Sequence, residues 1–214
     1  MATATELQVL LSRLTAEADR DLAVVWSQAT VDDVADALRD MLPALVGDYG
    51  DAASVVAAEW YDEYRADLNI GGSFRAEVAP TVDLGADALA GWGIARATEN
   101  WDSALSLISG GMQRRIVNVA RSTITTSTSL DPQAEGWQRI ARGTGCGFCQ
   151  MLAGRGAVYK SSGVADFASH DHCHCQAVPA FGGRPRPVKP YAPTSRNITD
   201  ADRARTREWI ASNL

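Results

Sequence analysis

The 214 residues carry 20 Lys or Arg against 26 Asp or Glu, a net charge of −6 at pH 7 with histidine neutral, and 46% of them are hydrophobic. That apolar fraction supports a folded core, no run of about eighteen apolar residues offers a membrane span, and the acidic total excludes a broad basic stripe for wrapping nucleic acid. The N-terminal MATATELQVL has neither a basic n-region nor an apolar h-region, so synthesis in a reducing cytoplasm is expected.

Residues 4–28 read as one amphipathic helix, because Leu7, Leu10, Leu11, Leu14, Ala18, Leu22 and Val25 recur at three- and four-residue steps. Thr30 is an N-cap candidate for a second helix, with Asp33 three residues on in a capping-box position. Val34, Leu38 and Met41 or Leu42 continue the apolar stripe, and Pro43 should bend or end that helix. Gly47 and Gly50 punctuate before a third helix at 52–68. There Trp60, Tyr61 and Tyr64 form an aromatic patch, read as core packing, with a binding patch as the alternative.

The break at 69–72 precedes a short extended piece at 74–78. Helical periodicity resumes over 84–108 through Leu84, Leu89, Trp92, Ala95, Trp101, Leu105 and Ile108. Gly110 and Gly111 mark a tight connection. Another helix runs over 112–127, with Ile116, Val119, Ala120 and Ile124 on one side and Arg114, Arg115 and Arg121 on the other; Asp131 and Pro132 stop it.

The texture then changes. Residues 136–142 alternate as a strand, 148–152 suit one or two helical turns, and 157–159 and 173–178 are short strand candidates. The stretch 182–193 has four prolines and two glycines and reads as an extended arm. Thr199 caps a short helix at 200–213 that carries Arg203, Arg205 and Arg207. The expected fold is mainly α, with a helical N-terminal half and a small C-terminal α+β zinc-knuckle module whose short strands surround a Cys/His cluster. The expected division is a helical domain at 1–130, the Cys/His module at 131–181, and the arm with its helix at 182–214.

All four cysteines (Cys146, Cys149, Cys173, Cys175) and all three histidines (His170, His172, His174) fall between 145 and 181. A C-x-x-C turn can aim two thiolates at one tetrahedral ion, and the later H-x-H-C-H-C stretch offers more than enough ligands to complete it. A structural Zn²⁺ site is the leading reading. Cys146 and Cys149 supply two ligands, and His170, Cys173 and Cys175 form the pool for the rest. If 173–178 is a strand, Cys173 and Cys175 share one face and His172 and His174 take the other. The alternatives are a disulfide, which belongs to oxidising compartments, and a redox C-x-x-C, which usually opens a helix in a βαβ unit. A catalytic zinc would keep an open position beside an acid such as Asp166 or Asp171. Every histidine sits in the cluster, which leaves no base for a Ser-His-Asp enzyme. Neither a Walker A sequence nor a G-x-G-x-x-G after a strand is present.

Charge is polarised along the chain. Residues 1–70 hold fourteen acids against four arginines, whereas 109–214 hold fourteen Arg or Lys against seven acids, which suits partners of opposite sign.

The ordered set RRIVNVARSTITTST, GWQRIARGTGCGFCQMLAGRGAVY and HDHCHC before a hydrophobic strand resembles the MuF-like minor head proteins of tailed phages, and the N-terminal half, with AAEWYDEYRADL, looks like the actinobacterial-phage version. The family pattern is an arginine-bearing helix, a Trp-containing strand, C-x-x-C and H-P-x-C-R-C. Cys146 and Cys149 match the knuckle, and His170, Cys173 and Cys175 match the last motif. Asp171 stands where proline is usual, His174 where arginine is usual, and 143–145 lack the family's acids. The resemblance implies a low-copy virion protein of the capsid interior, made in the host cytoplasm and acting near the portal in head morphogenesis. Its expected partners are portal or major capsid protein, further copies of itself and packaged DNA, with ejection alongside that DNA as an extension of the role, and no membrane. It implies a non-enzymatic role; a capsid maturation protease or other zinc-dependent hydrolase is the alternative.

Overall fold

The computed structural model describes residues 2–81, 84–141, 147–157, 159, 167, 169–182, 204 and 208. Four helices build the body: α1 Ala4–Gln28, α2 Val34–Asp67, α3 Ala86–Glu99 and α4 Trp101–Leu130. Strand β1 Gly136–Ile140, the short helix α5 Gly147–Ala153 and strand β2 Gln176–Ala180 follow. The fold is therefore mainly α with a small C-terminal strand pair, as expected. No helix among the described residues is long and apolar enough to cross a membrane.

Helix α1 begins where its capping box dictates. The Thr3 hydroxyl accepts from the Glu6 amide at 3.2 Å, and the Glu6 carboxylate accepts from the Thr3 amide at 3.3 Å, so two otherwise unpaired donors are satisfied. Its buried stripe is Leu7, Leu11, Thr15, Ala18, Leu22 and Trp26. Two details differ from the periodic reading. Leu10 is 41% exposed, and Trp26 replaces Val25 as the inward residue, its ring tilted by 30° against Trp101 with centroids 4.4 Å apart.

Helix α2 corrects a larger expectation. Residues 34–67 form one helix that passes through Pro43, Gly47 and Gly50 without ending. Proline deletes one helical hydrogen bond and crowds the preceding turn, but Leu38, Leu42, Leu45 and Val46 are all buried around it, and their packing outweighs that local cost. The helix starts three residues later than Thr30 suggested. Asp33 is its N-cap residue, and the Asp33 carboxylate accepts from the Thr30 amide across the entry turn.

Trp60 is core, not an exposed patch. It is 3% exposed, its indole N–H donates to the Thr3 carbonyl at 3.0 Å, and its ring stacks on Tyr64 at 4.9 Å. Trp60→Ala is expected to cost about 3–5 kcal/mol. Leu14, only partly buried, should cost about 1–2 kcal/mol on truncation. Thermal melts of both variants check this, and an unchanged Trp60→Ala melt contradicts it.

The segment at 74–79 forms no strand; side chains of two helices replace a ladder. Asp62 accepts from the Ala76 amide at 2.9 Å, Ser127 from Glu77 at 3.0 Å and Thr123 from Ala79 at 3.0 Å. This explains part of the Ser/Thr run late in α4: those hydroxyls satisfy backbone donors of a neighbouring segment.

Helix α4 packs on α1, α2 and α3 and carries β2. It also runs unbroken through Gly110 and Gly111, which were expected to end one helix and start another. The real break is Asn100, whose side chain caps α4 by accepting from the Ser103 amide at 3.2 Å. One hydrophobic cluster extends from Leu7 and Leu11 through Ile116 and Ile124 to Trp137, Cys175 and Val178.

Candidate metal centre

Strands β1 and β2 pair antiparallel, with Trp137 opposite Pro179. The Trp137 amide donates to the Tyr159 carbonyl at 2.7 Å, and the Tyr159 amide donates back at 3.3 Å. Both backbone groups of Trp137 thus point away from β2, so Trp137 and Pro179 form a non-hydrogen-bonded pair and the missing proline N–H costs nothing. The Trp137 ring, 1% exposed, stacks on Tyr159 at 4.3 Å and on Phe167 at 5.6 Å. These rings belong to the same buried cluster as Cys149, Cys173 and Cys175.

Cys149 comes from α5, and Cys173 and Cys175 from the segment entering β2. Their three sulfurs lie within 4.8 Å of one another, and all three residues are buried. The Cys149 and Cys173 sulfurs are 3.8 Å apart. A disulfide needs about 2.05 Å, so this pair is not bonded. Zinc–sulfur bonds of about 2.3 Å in a tetrahedron put sulfurs about 3.8 Å apart, so this separation matches the edge of a thiolate metal site. The donor set therefore fits a soft divalent ion.

His170 lies against one edge of the cluster. Its Nε2 is 3.7 Å from the Cys149 sulfur, and its Nδ1 is 2.7 Å from the Asp171 carbonyl. A carbonyl only accepts, so Nδ1 carries the hydrogen and Nε2 keeps its lone pair, the tautomer a metal ligand needs. Cys146 lies outside the described residues, as does Asp166. His172 and His174 are exposed while Cys173 and Cys175 are buried, so the expected alternation holds even though β2 starts only at Gln176. Asp171 pairs with Arg114 at 3.3 Å.

The thiols polarise one another. Hydrogen bonds from Cys149 and then Cys175, with the charge of Arg121 added, hold the Cys173 thiol far below its usual range despite burial. Cys175 is pushed up: its hydrogen bond with Cys149 pulls it down, but the bond with Cys173, burial and the negative charge of Cys173 outweigh that.

Helix α4 seats the cluster, and sequence reasoning missed this. A Cβ on Gly110 would lie 2.6 Å from His172 Nε2 and 3.0 Å from Asp171 Cβ, so only glycine lets the 170–173 turn approach so closely. His172, with a left-handed φ of 57°, faces Gln113 at 3.3 Å between Nδ1 and Oε1. Gln113 and Ser109 both donate to Asp19 of α1. Ser169 donates to Asn118 at 2.9 Å. Arg121, 1% exposed, donates to the carbonyls of Cys175 and Cys173 at 2.9 and 2.7 Å.

A family model described as VG15 protein matches residues 1–198. The chain belongs to the VG15 protein family. That membership points to a phage-encoded protein. Comparisons with curated proteins and with solved structures find no match.

In this VG15 protein the arginines of α4 do not form the single outward face expected of Arg114, Arg115 and Arg121. Arg121 is buried under the cysteines. Arg115 donates to the carbonyls of Gly85 and Gly111, both at 3.0 Å, and burial, with Arg114 nearby, lowers its pKa. Arg114 pairs with Asp171. Only a tertiary neighbour could reveal these roles; the one local hint was a Gly-Gly pair inside an amphipathic pattern.

Proposed function

We propose that this VG15 protein is a minor head protein of a tailed phage, residing in the capsid interior near the portal and assisting head assembly, with one structural Zn²⁺ per chain. Cys149, Cys173 and Cys175 supply three ligands, and the fourth comes from Cys146 or His170. The observation that carries this reading is the convergence of three buried thiols, at 1%, 5% and 3% exposure. A closed, thiolate-rich site suits a structural ion, whereas a catalytic zinc keeps a position open to water and substrate. The family match and the ordered motifs support the phage-head assignment.

On this reading the protein works by binding portal, capsid protein or packaged DNA, and the metal site staples its C-terminal part to α4. The arginines at 203, 205 and 207, outside the described residues, are the remaining candidate contacts, since the planar guanidinium binds carboxylate and phosphate bidentately. Mass spectrometry of purified virions tests the assignment. The expected result is the intact chain at low copy beside portal and capsid protein. Its absence from virions contradicts the reading. Normal incorporation of cysteine variants with loss of capsid-protein processing would favour a maturation protease instead.

A further inference from the structure

Arg121 is the most deeply buried cation of the described chain, 1% exposed, and no ion pair among the described residues joins it to a carboxylate. A buried guanidinium without an acid is costly unless another negative group answers it. Three of its five N–H donors have acceptors in this part of the chain. Nε donates to the Cys175 carbonyl at 2.9 Å, Nη2 to the Cys173 carbonyl at 2.7 Å, and Nη1 to Asn118 Oδ1 at 2.7 Å. Asn118 in turn accepts from Ser169. Two residues one turn apart on α4 thereby grip the chain at 169, 173 and 175, on both sides of the turn that bears His170. The Arg121 carbon Cζ also lies over the Phe167 ring, 4.7 Å from its centroid.

We propose that Arg121 is the positioning residue of the metal centre: its fork fixes the backbone of two ligand residues, and its charge offsets the thiolates. The inference rests on the metal reading given above. Ligand thiols are deprotonated when they bind metal. Three thiolates and one divalent ion leave a charge of −1 with His170 as the fourth ligand and −2 with a Cys146 thiolate; Arg121 offsets one unit of it, and Arg139, also buried, is a second cation acting on Cys175. Lysine could supply the charge but not the two directed bonds to neighbouring carbonyls.

The test is chelator competition for Zn²⁺ on the full chain, with Co²⁺ absorption as a second readout, comparing wild type, Arg121→Lys and Arg121→Met. Arg121→Met is expected to weaken Zn²⁺ binding about 10–100-fold, the usual effect of removing a group that supports metal ligands. Arg121→Lys should fall between and show an altered Co²⁺ thiolate spectrum, because Cys173 and Cys175 are no longer held. A purely structural Arg121 would lower the melting temperature of zinc-loaded and chelated chain equally; the proposal expects the larger loss in the loaded chain. Should Arg121→Met be insoluble, the Arg121→Lys spectrum and affinity decide alone. Wild type that binds no Zn²⁺ overturns the metal reading itself. Wild type that binds it, beside an Arg121→Lys of unchanged affinity and spectrum, overturns the role of Arg121 and leaves the metal reading standing.

Discussion

Asp131→Ala is expected to destabilise the chain by about 3–5 kcal/mol, the usual cost of breaking a buried ion pair from one side. The Asp131 carboxylate accepts from Arg65 Nε at 2.6 Å and Nη2 at 3.3 Å, from the Tyr61 hydroxyl at 3.1 Å and from the Gln133 amide at 3.0 Å. The two side chains of the pair are 6% and 0% exposed. Removing the acid strands the guanidinium beside the rings of Phe74 and Phe181, with the Gly71 carbonyl as its remaining acceptor among the described residues. For a chain of this size the loss corresponds to a fall in melting temperature of roughly 2–4 °C per kcal/mol. Replacing both partners with apolar residues, Arg65→Met with Asp131→Leu, should recover much of it, since no lone charge stays buried. A single variant that melts like wild type contradicts the account of this knot.

The second large effect is a sign reversal between two glycines. Alanine in place of an exposed helical glycine normally stabilises by up to about 1 kcal/mol. Gly91 of α3 has nothing within 4 Å of a built Cβ, so Gly91→Ala should raise the melting temperature. Gly110→Ala gains the same helix propensity but drives a Cβ to 2.6 Å from His172 and 3.0 Å from Asp171. The His172 ring must then swing aside and Asp171 give by a few tenths of an ångström, and overpacking of this kind costs about 1–3 kcal/mol. The expected results are a lowered melting temperature and weaker metal binding for Gly110→Ala alone. Two variants that both stabilise contradict the seating of the cysteine turn on α4.

These two sites also show what was legible in the sequence. The start of α1 was readable because Thr3, Glu6 and the leucine stripe act within a few residues of one another. The inward placement of Cys173 and Cys175, with His174 outward between them, was readable because residues two apart share a face of extended backbone; His172 is outward through its left-handed turn instead. Pro43, Gly47, Gly50, Gly110 and Gly111 misled for one shared reason. Each is a local breaker signal: Gly50 and Gly111 are packed against by side chains distant in sequence, Gly110 by a turn about sixty residues away, and the helix continues through Pro43 and Gly47 on the strength of the buried stripe beside them. Asp131 was legible as the helix stop that it is, the C-cap of α4, but not as a buried ion-pair partner, because Arg65 lies on a different helix. Arg121 read as a solvated arginine because its periodicity is that of a polar face, and nothing nearby in sequence says that the cysteine carbonyls cover that face.

The central claim is that Cys149, Cys173 and Cys175 hold a metal ion. Metal analysis by plasma mass spectrometry, on full chain purified without chelator and paired with native mass spectrometry, tests it most directly. The account predicts about one zinc per chain, and its release by chelator should expose the thiols to alkylation and lower the melting temperature. A zinc content near zero, with all thiols alkylated at once in the folded chain, would contradict it.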